Sequence, residues 1–377
     1  MQTKRFGLCA ALSAAALLLL AGCAGSGSTA APTLTVESSY PLQYAKQFTV
    51  DECTGGYELI TIADSQYLVV PQGAAVPEDL PQGTTVLQQP IENIYLVSTS
   101  AMDPIISLGA LDSIALSGTK ADGWYLPKAK AAMQAGQIAY AGKYSAPDYE
   151  TILASGCGLA IENTMIYHTP EVKEQLEKFG IPVLVERSSY ETDPLARMEW
   201  VKLYGILLGK KQEAEQLFDT QVQRVAPLEN QQPTGKTVAF FSITSNNLVT
   251  VRKGSDYVAR MIEMAGGSYV FDDLTDSSNN LATINLSLED FYAGAKDADV
   301  LLYNSTIEGS IASTEQLVEK CPLLAQFKAV QNGNVWCTAQ SLFQQSMELP
   351  DLILDMNRVF AEGTPADSEL TFLTHVE

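Results

Sequence analysis

The chain has 377 residues, a formal net charge of −21, 46% apolar residues and only two histidines. A surface this acidic repels nucleic acid and anionic lipid headgroups and suits a soluble protein with a basic docking partner. Two histidines exclude a multi-histidine metal site, and without a CxxC spacing a zinc ribbon or redox motif is unsupported.

At the N-terminus, Lys4 and Arg5 precede an apolar run through Leu20 and small residues around Cys23. The run is too short and wrongly flanked for a membrane span, and it reads as a secretory signal over residues 1–22. Leu20-Ala21-Gly22-Cys23 resembles the bacterial lipobox, which predicts cleavage before Cys23 and a diacylglyceryl group on its thiol. Two acyl chains suffice for stable anchoring, at about 0.8 kcal/mol per buried methylene. Residues 23–33 then form a small-residue tether. Loss of Lys4 and Arg5, with no acid, takes the charge from −21 to −23. The remaining chain, roughly 355 residues, is long enough for two domains.

Residues 34–90 are strand-rich: QFTVDE, YELITIA and QYLVVP alternate around turns at Thr54-Gly55-Gly56 and Asp64-Ser65. This predicts a small β-layer packed on the first lobe. From residue 91 to 193 strands alternate with helices: NIYLVST, a helix with Ser100 as a candidate cap, SIALSG, GWYLPKAKAAMQAG, IAYAG, a helix around Tyr149–Ala154, GLAIEN, TPEVKEQLEKFG and IPVLVE. Continuous apolar strands between helices predict a parallel sheet covered on both faces. Residues 194–229 follow helical spacing throughout, with Gly209 and the next lysines ending or kinking the first helix. One helix of about 20 residues, roughly 30 Å long, is expected to act as a stiff strut. Residues 230–377 repeat the strand–helix grammar and form a second lobe.

Two phrases echo each other. DYETILASGCGLAIENT (148–164) and SLEDFYAGAKDADVLLYNST (287–306) each run from an acid into a short helix, a small turn and an apolar strand ending in Asn and Thr. The chain therefore carries one helix-then-strand unit per lobe.

NIYLVSTSAMDPIISLGALDSIALSG, YETILASGCGLAIE, FGIPVLVE, LYGILLGKKQEAEQL, DYVARMIEMAGG, SLEDFYAGAKDADVLLY and FKAVQNGNVW, in that order behind a lipobox, resemble ABC-transporter substrate-binding proteins of the iron-siderophore, haem and cobalamin type. The resemblance covers about residues 91–360. It implies an α/β protein of two Rossmann-like three-layer αβα lobes with mainly parallel sheets, joined by one long helix. A ligand is held between the lobes, with little lobe movement. It implies no enzyme activity and no intrinsic cofactor. The cargo would be a ferric siderophore, haem or corrinoid, and the partner an ABC permease dimer with its ATPase subunits, met by a monomer. Aligned by phrase, the family's permease-docking glutamates fall on Glu150 and Glu289. Two spaced carboxylates can also read paired cationic pockets on electrostatic grounds alone, and both equally read as helix N-terminal acids favoured by the macrodipole.

Ligands of open α/β sheets sit at the carboxyl ends of the strands. Lobe one offers Thr99, Ser100, Trp124, Tyr125, Lys143, Tyr144, Glu162, Asn163, Arg187 and Tyr190 there. Lobe two offers Arg252, Lys253, Tyr257, Tyr303 and Asn304, with Phe343 and Gln344 further on. Aromatic walls with guanidinium groups suit a large, planar or chelated, anionic ligand. Taken singly, each loop residue reads equally as surface packing, and Trp124 as a core cap. His168, past a strand end, reads either as an axial ligand to haem iron or cobalt or as a solvated turn residue. No protein metal cluster is expected. Cys321 and Cys337 pair in one reading and are free buried thiols in another. The competing functions are a surface sensor or adhesin of the same fold without a permease, and a lipid-anchored hydrolase. Against the hydrolase, the chain lacks a GxSxG elbow.

Overall fold

In the computed structural model, residues 33–276 and 281–377 are described; Cys23 and most of the tether lie outside them. The first unit is a sheet of β1 (Val36–Ser39), β2 (Phe48–Cys53), β3 (Tyr57–Ile62), β4 (Ser65–Val70) and β5 (Thr85–Gln88), paired in that order. The first four strands are antiparallel neighbours, and β5 adds in parallel to β4. In β2, buried Phe48 and Val50 flank exposed Thr49, the alternation of a half-covered sheet. Phe48 packs edge-on against Trp200 with centroids 4.9 Å apart, and the Tyr67 hydroxyl donates to the Val183 carbonyl at 3.2 Å.

Lobe 1 follows as β6 (Ile94–Leu96), α1 (Met102–Ser107), β7 (Ile114–Ser117), α2 (Pro127–Gln134), β8 (Ala139–Tyr140), a small hairpin of β9 (Gly142–Lys143) and β10 (Ala146–Pro147), α3 (Tyr149–Ala154), β11 (Ala160–Asn163), α4 (Pro170–Lys178) and β12 (Val183–Glu186). Its sheet, ordered β12-β11-β6-β7-β8, is parallel throughout. Both faces are apolar. Ile94 and Leu96 of β6 join the main core, while Tyr95 joins a second cluster with Ile152, Leu176 and Val183.

The connection is helical but is not the single rod expected. It is two helices, α5 (Pro194–Leu207) and α6 (Lys211–Val225), separated by Leu208–Lys210 and packed side by side. A Cβ on Gly205 would fall 2.4 Å from the Ala214 Cβ, so glycine permits the hairpin's close approach. At 14 residues α5 is about 21 Å long, and it is buried on every side.

Lobe 2 comprises β13 (Thr237–Ile243), β14 (Val249–Arg252), α7 (Tyr257–Met264), β15 (Ser268–Tyr269), β16 (Thr283–Leu286), α8 (Leu288–Ala295), β17 (Val300–Tyr303), α9 (Ser305–Glu308), α10 (Thr314–Lys320), α11 (Lys328–Gln331), β18 (Val335–Thr338), α12 (Leu349–Glu362) and β19 (Leu373–His375). Its sheet runs β16-β14-β13-β17-β18-β19, with β15 also on β13. The β13-β17-β18 centre is parallel, but β14, β16 and β19 pair antiparallel, so this lobe is mixed where lobe 1 is not. Cys53, Cys157, Cys321 and Cys337 are all free thiols; the Cys321–Cys337 bridge is not formed.

Candidate functional site

The carboxyl ends of lobe 1's parallel strands and, from lobe 2, the turn after the antiparallel strand β14 border a cleft of about 760 Å³. On the lobe 1 side, the turn after β6 brings Ser98, Thr99 and Ser100, the end of β11 brings Asn163, and the corner from β12 into α5 brings Glu186, Arg187, Tyr190, Glu191 and Arg197. On the lobe 2 side, the turn from β14 into α7 brings Arg252, Lys253, Asp256 and Tyr257, and Phe343 completes the wall. That turn is tight. A Cβ on Gly254 would lie 1.5 Å from the Asp272 carbonyl oxygen, so only glycine fits between the two cleft residues and the loop behind.

The carboxylates of the cleft are already occupied. Glu186 accepts from the Ser98 and Ser100 hydroxyls, each at 2.9 Å, and from the Ser188 amide at 2.8 Å. Glu191 accepts from the Lys46 and Gln47 amides and from the Trp200 indole N–H at 3.0 Å. Asp256 caps α7 through the Val258 amide at 2.9 Å and lies 3.6 Å from the Arg252 guanidinium. Burial pushes the Asp256 carboxyl up, opposed by Arg252.

Each guanidinium lies on an aromatic ring. Arg187 is 4.6 Å from the Tyr190 centroid, Arg197 is 4.9 Å from Tyr257, and Arg252 is 4.5 Å from Phe343. Such stacking holds a planar cation in place at a contribution of about 0.5–2 kcal/mol. Lys253 donates to the Asp276 carbonyl at 2.8 Å. Burial raises the Tyr257 phenol, against the pull of Arg197 and Arg252, so it stays a neutral hydroxyl at ordinary pH. The arrangement can bind a multiply charged anion with flat faces; among the described residues no cluster of histidine, cysteine and acid could hold a bare metal ion.

Of the residues singled out from sequence, Thr99, Ser100, Asn163, Arg187, Tyr190, Arg252, Lys253, Tyr257 and Phe343 meet in this cleft, and His168 stands on its border, exposed. The remaining ones lie elsewhere. Trp124 is 1% exposed and donates to the Ser117 hydroxyl at 3.2 Å, a core residue. Tyr125 is exposed, Lys143 projects from β9 into solvent, and Tyr144 packs on the outer cluster of lobe 1. Glu162 and Tyr303 are fully buried because strand alternation turns them into their lobes. Asn304, also buried, caps α9 through the Thr306 amide at 3.1 Å. Burial alone pushes the Glu162 carboxyl up to about 8, and neither of its oxygens has a partner. Sequence reading missed Glu186, Glu191, Arg197 and Asp256. The available signal was α5 itself, where Arg197, Glu199 and Lys202 interrupt an otherwise apolar helix.

Behind the cleft, residues 344–348 strap lobe 2 to lobe 1. The Gln344 side chain accepts from the Tyr125 amide at 2.8 Å and donates to the Gly123 carbonyl at 2.9 Å. Ser346 donates to the Ser100 carbonyl, and the Met347 amide donates to Asp103 at 2.8 Å. Burial, then a hydrogen bond shared with Glu348, pushes the Asp103 carboxyl up to about 8.

Glu150 and Glu289 are exposed in the first turns of α3 and α8. Asp148 caps α3 through the Thr151 amide at 3.1 Å, and Ser287 caps α8 through the Asp290 amide at 3.0 Å. Each helix leads into a parallel strand of its lobe, α3 into β11 and α8 into β17. No helix of the described residues is long and apolar enough to cross a membrane.

Residues 95–341 match the periplasmic binding protein family. A lipoprotein of Methanocaldococcus jannaschii, itself uncharacterized, is 26% identical over 241 residues, covering 62% of this chain and 55% of the relative. The chain thus spans about half the length of the curated relatives it matches. A periplasmic heme binding protein from Pseudomonas aeruginosa superposes with a TM-score of 0.57 at 18% identity, over 73% of this chain and 94% of that one. An ABC-type Fe3+-hydroxamate transport system protein from Saccharomonospora viridis gives 0.54 at 21% identity, over 71% and 93%. At these identities the likeness is one of fold.

Proposed function

This chain belongs to the periplasmic binding protein family, and we propose that it captures an anionic metal chelate between its lobes and delivers it to an ABC permease. It is a binding protein, not an enzyme. The observation that carries the ligand class is the cleft's charge arrangement: three ring-stacked guanidiniums beside a lysine, with every bordering carboxylate engaged by protein donors. Glu186 and Glu191 are held by donors other than the cleft cations, Asp256 shares Arg252 at 3.6 Å, and Tyr190, Tyr257 and Phe343 supply flat apolar surface. A ferric siderophore, a haem with its carboxylates, or a corrinoid carrying acidic groups fits that description. His168 would serve as an axial ligand to a metal centre reaching its end of the cleft.

Glu150 and Glu289, exposed in the first turns of α3 and α8, serve as the docking acids for basic pockets of the permease. Cys23 carries the lipid anchor, which keeps the protein at the outer face of the membrane. Visible absorption of the protein purified from its own host tests the ligand class. A Soret band, a corrin spectrum or a ferric charge-transfer band names the cargo. A colourless protein that fails to take up hemin, cobalamin or ferric siderophores in tryptophan-fluorescence titrations rejects the reading.

A further inference from the structure

The N-terminal sheet lies outside the residues that match the family, yet it reaches the cleft. Five consecutive backbone amides of the loop between β1 and β2 donate to two acids of the α5 corner. Gln43, Tyr44 and Ala45 bind Glu199 at 2.7–2.8 Å, and Lys46 and Gln47 bind Glu191 at 3.1 and 2.9 Å. Successive N–H groups in such a loop form an anion-binding concavity. Both acids are buried, Glu199 at 0% and Glu191 at 3% exposure, and Lys202 adds a 2.7 Å contact to Glu199. The same loop sends the Gln47 side-chain oxygen to the Arg187 Nε and Nη2, both at 3.3 Å, while Arg187 lies over Tyr190.

Without these donors, Glu191 would be a buried carboxylate on the cleft wall and would take a cleft cation as its partner. The charge available to a ligand would fall accordingly. We propose that the N-terminal extension sets the charge selectivity of the cleft: its loop amides hold Glu191 away from the cleft cations, and Gln47 positions Arg187 to face an anionic ligand. Gln47 acts through Arg187 and is a positioning residue. The inference rests on the proposed function only for its chelate probes.

The test compares the full chain with Gln47→Glu and Gln47→Met, titrated with three probes: an anionic ferric tricatecholate, an uncharged ferric trihydroxamate, and metal-free citrate. A glutamate at this place engages Arg187 as an ion pair. It should weaken the two anionic probes about tenfold or more, with Gln47→Met weaker in effect at about threefold, because Arg187 keeps its charge and loses only the neutral group that orients it. The uncharged chelate should stay within about twofold, and both variants should melt within a few degrees of the parent. Equal losses for charged and uncharged probes, or no loss, overturn the inference, since a purely scaffolding loop has no charge preference. Citrate binding without chelate binding counts against the proposed cargo while the Gln47→Glu result on citrate still decides this one. A parent that binds no anion overturns both.

Discussion

The two echoed units, residues 148–164 of lobe 1 and 287–306 of lobe 2, are alike in frame and unlike in what they present. Each begins with a capped helix carrying an exposed glutamate and ends with an asparagine that caps the next turn, Asn163 to the Met165 amide at 2.9 Å and Asn304 to the Thr306 amide at 3.1 Å. Yet Asn163 borders the cleft and Asn304 is buried. The residue before each asparagine differs too: Glu162 is a buried acid without partners, and Tyr303 packs against Phe241 at 5.7 Å. The repeat thus carries architecture and one exposed helix-start glutamate per lobe, while the charged lining of the cleft comes from segments that are not repeated, the β12–α5 corner and the β14–α7 turn.

Breaking that division starts with the acids. Glu150→Arg with Glu289→Arg should reduce uptake of the labelled cargo by more than about tenfold while affinity stays within about twofold, because repulsion at the permease leaves the cleft untouched. Uptake in membrane vesicles beside a titration separates the two. Equal losses in both would move the acids into the binding site.

Next come the non-repeated arginines. Arg197→Ala and Arg252→Ala should each weaken an anionic chelate by about 10- to 100-fold, the loss of a charge-assisted contact of about 1.5–3 kcal/mol. Asn163→Ala, inside the repeat, should cost less than about threefold in affinity. An asparagine effect as large as the arginine effects would mean that the repeat itself reads the cargo.

The contrast between Glu162 and Tyr303 is sharpened by pH. With its carboxyl raised from the ordinary 4.5 to about 8, Glu162 is protonated in both states below 4.5. As pH climbs from there towards 8 the unfolded chain releases the proton and the native chain keeps it, so the parent loses stability across that window. Glu162→Met should therefore be more stable than the parent by about 1–3 kcal/mol at pH 8, with the advantage shrinking towards pH 5. Thermal melts at the two pH values check it; a pH-independent difference would refute the buried neutral acid. The Tyr303 hydroxyl, raised by burial to about 12, does not titrate in this range, so Tyr303→Phe should shift stability by less than about 1 kcal/mol with no pH trend. Asn304→Ala, by its lost cap, should cost about 1 kcal/mol.

Much of the framework was legible. Pro170 at the start of α4 and Gly180 beyond its end marked that helix, and the unbroken apolar run of VLVE marked a strand buried on both faces. The end of IPVLVE identified Arg187 and Tyr190 as neighbours of a cleft, whereas Arg252 and Lys253, also expected there, follow an antiparallel strand that the sequence reading did not place. The break at Gly209 was legible, but the fold-back was not: Gly205 lets Ala214 approach closely, so α6 returns along α5 instead of extending it as a rod. Tyr303 was misplaced because a strand-end aromatic has the same sequence signature whether it turns into the lobe or out of it, while Trp124, in the turn before α2, is the core cap of its second reading.

The sequence by itself determined the two-lobe α/β alternation, the β-rich start and the paired glutamates at two helix starts, because periodicity, caps and turn residues act over a few positions and leave a local imprint. Which charges face a ligand was decided only in three dimensions. Glu191 and Glu199 depend on amides some 145 to 156 positions away, and no local pattern records that a carboxylate has already been satisfied by a distant loop.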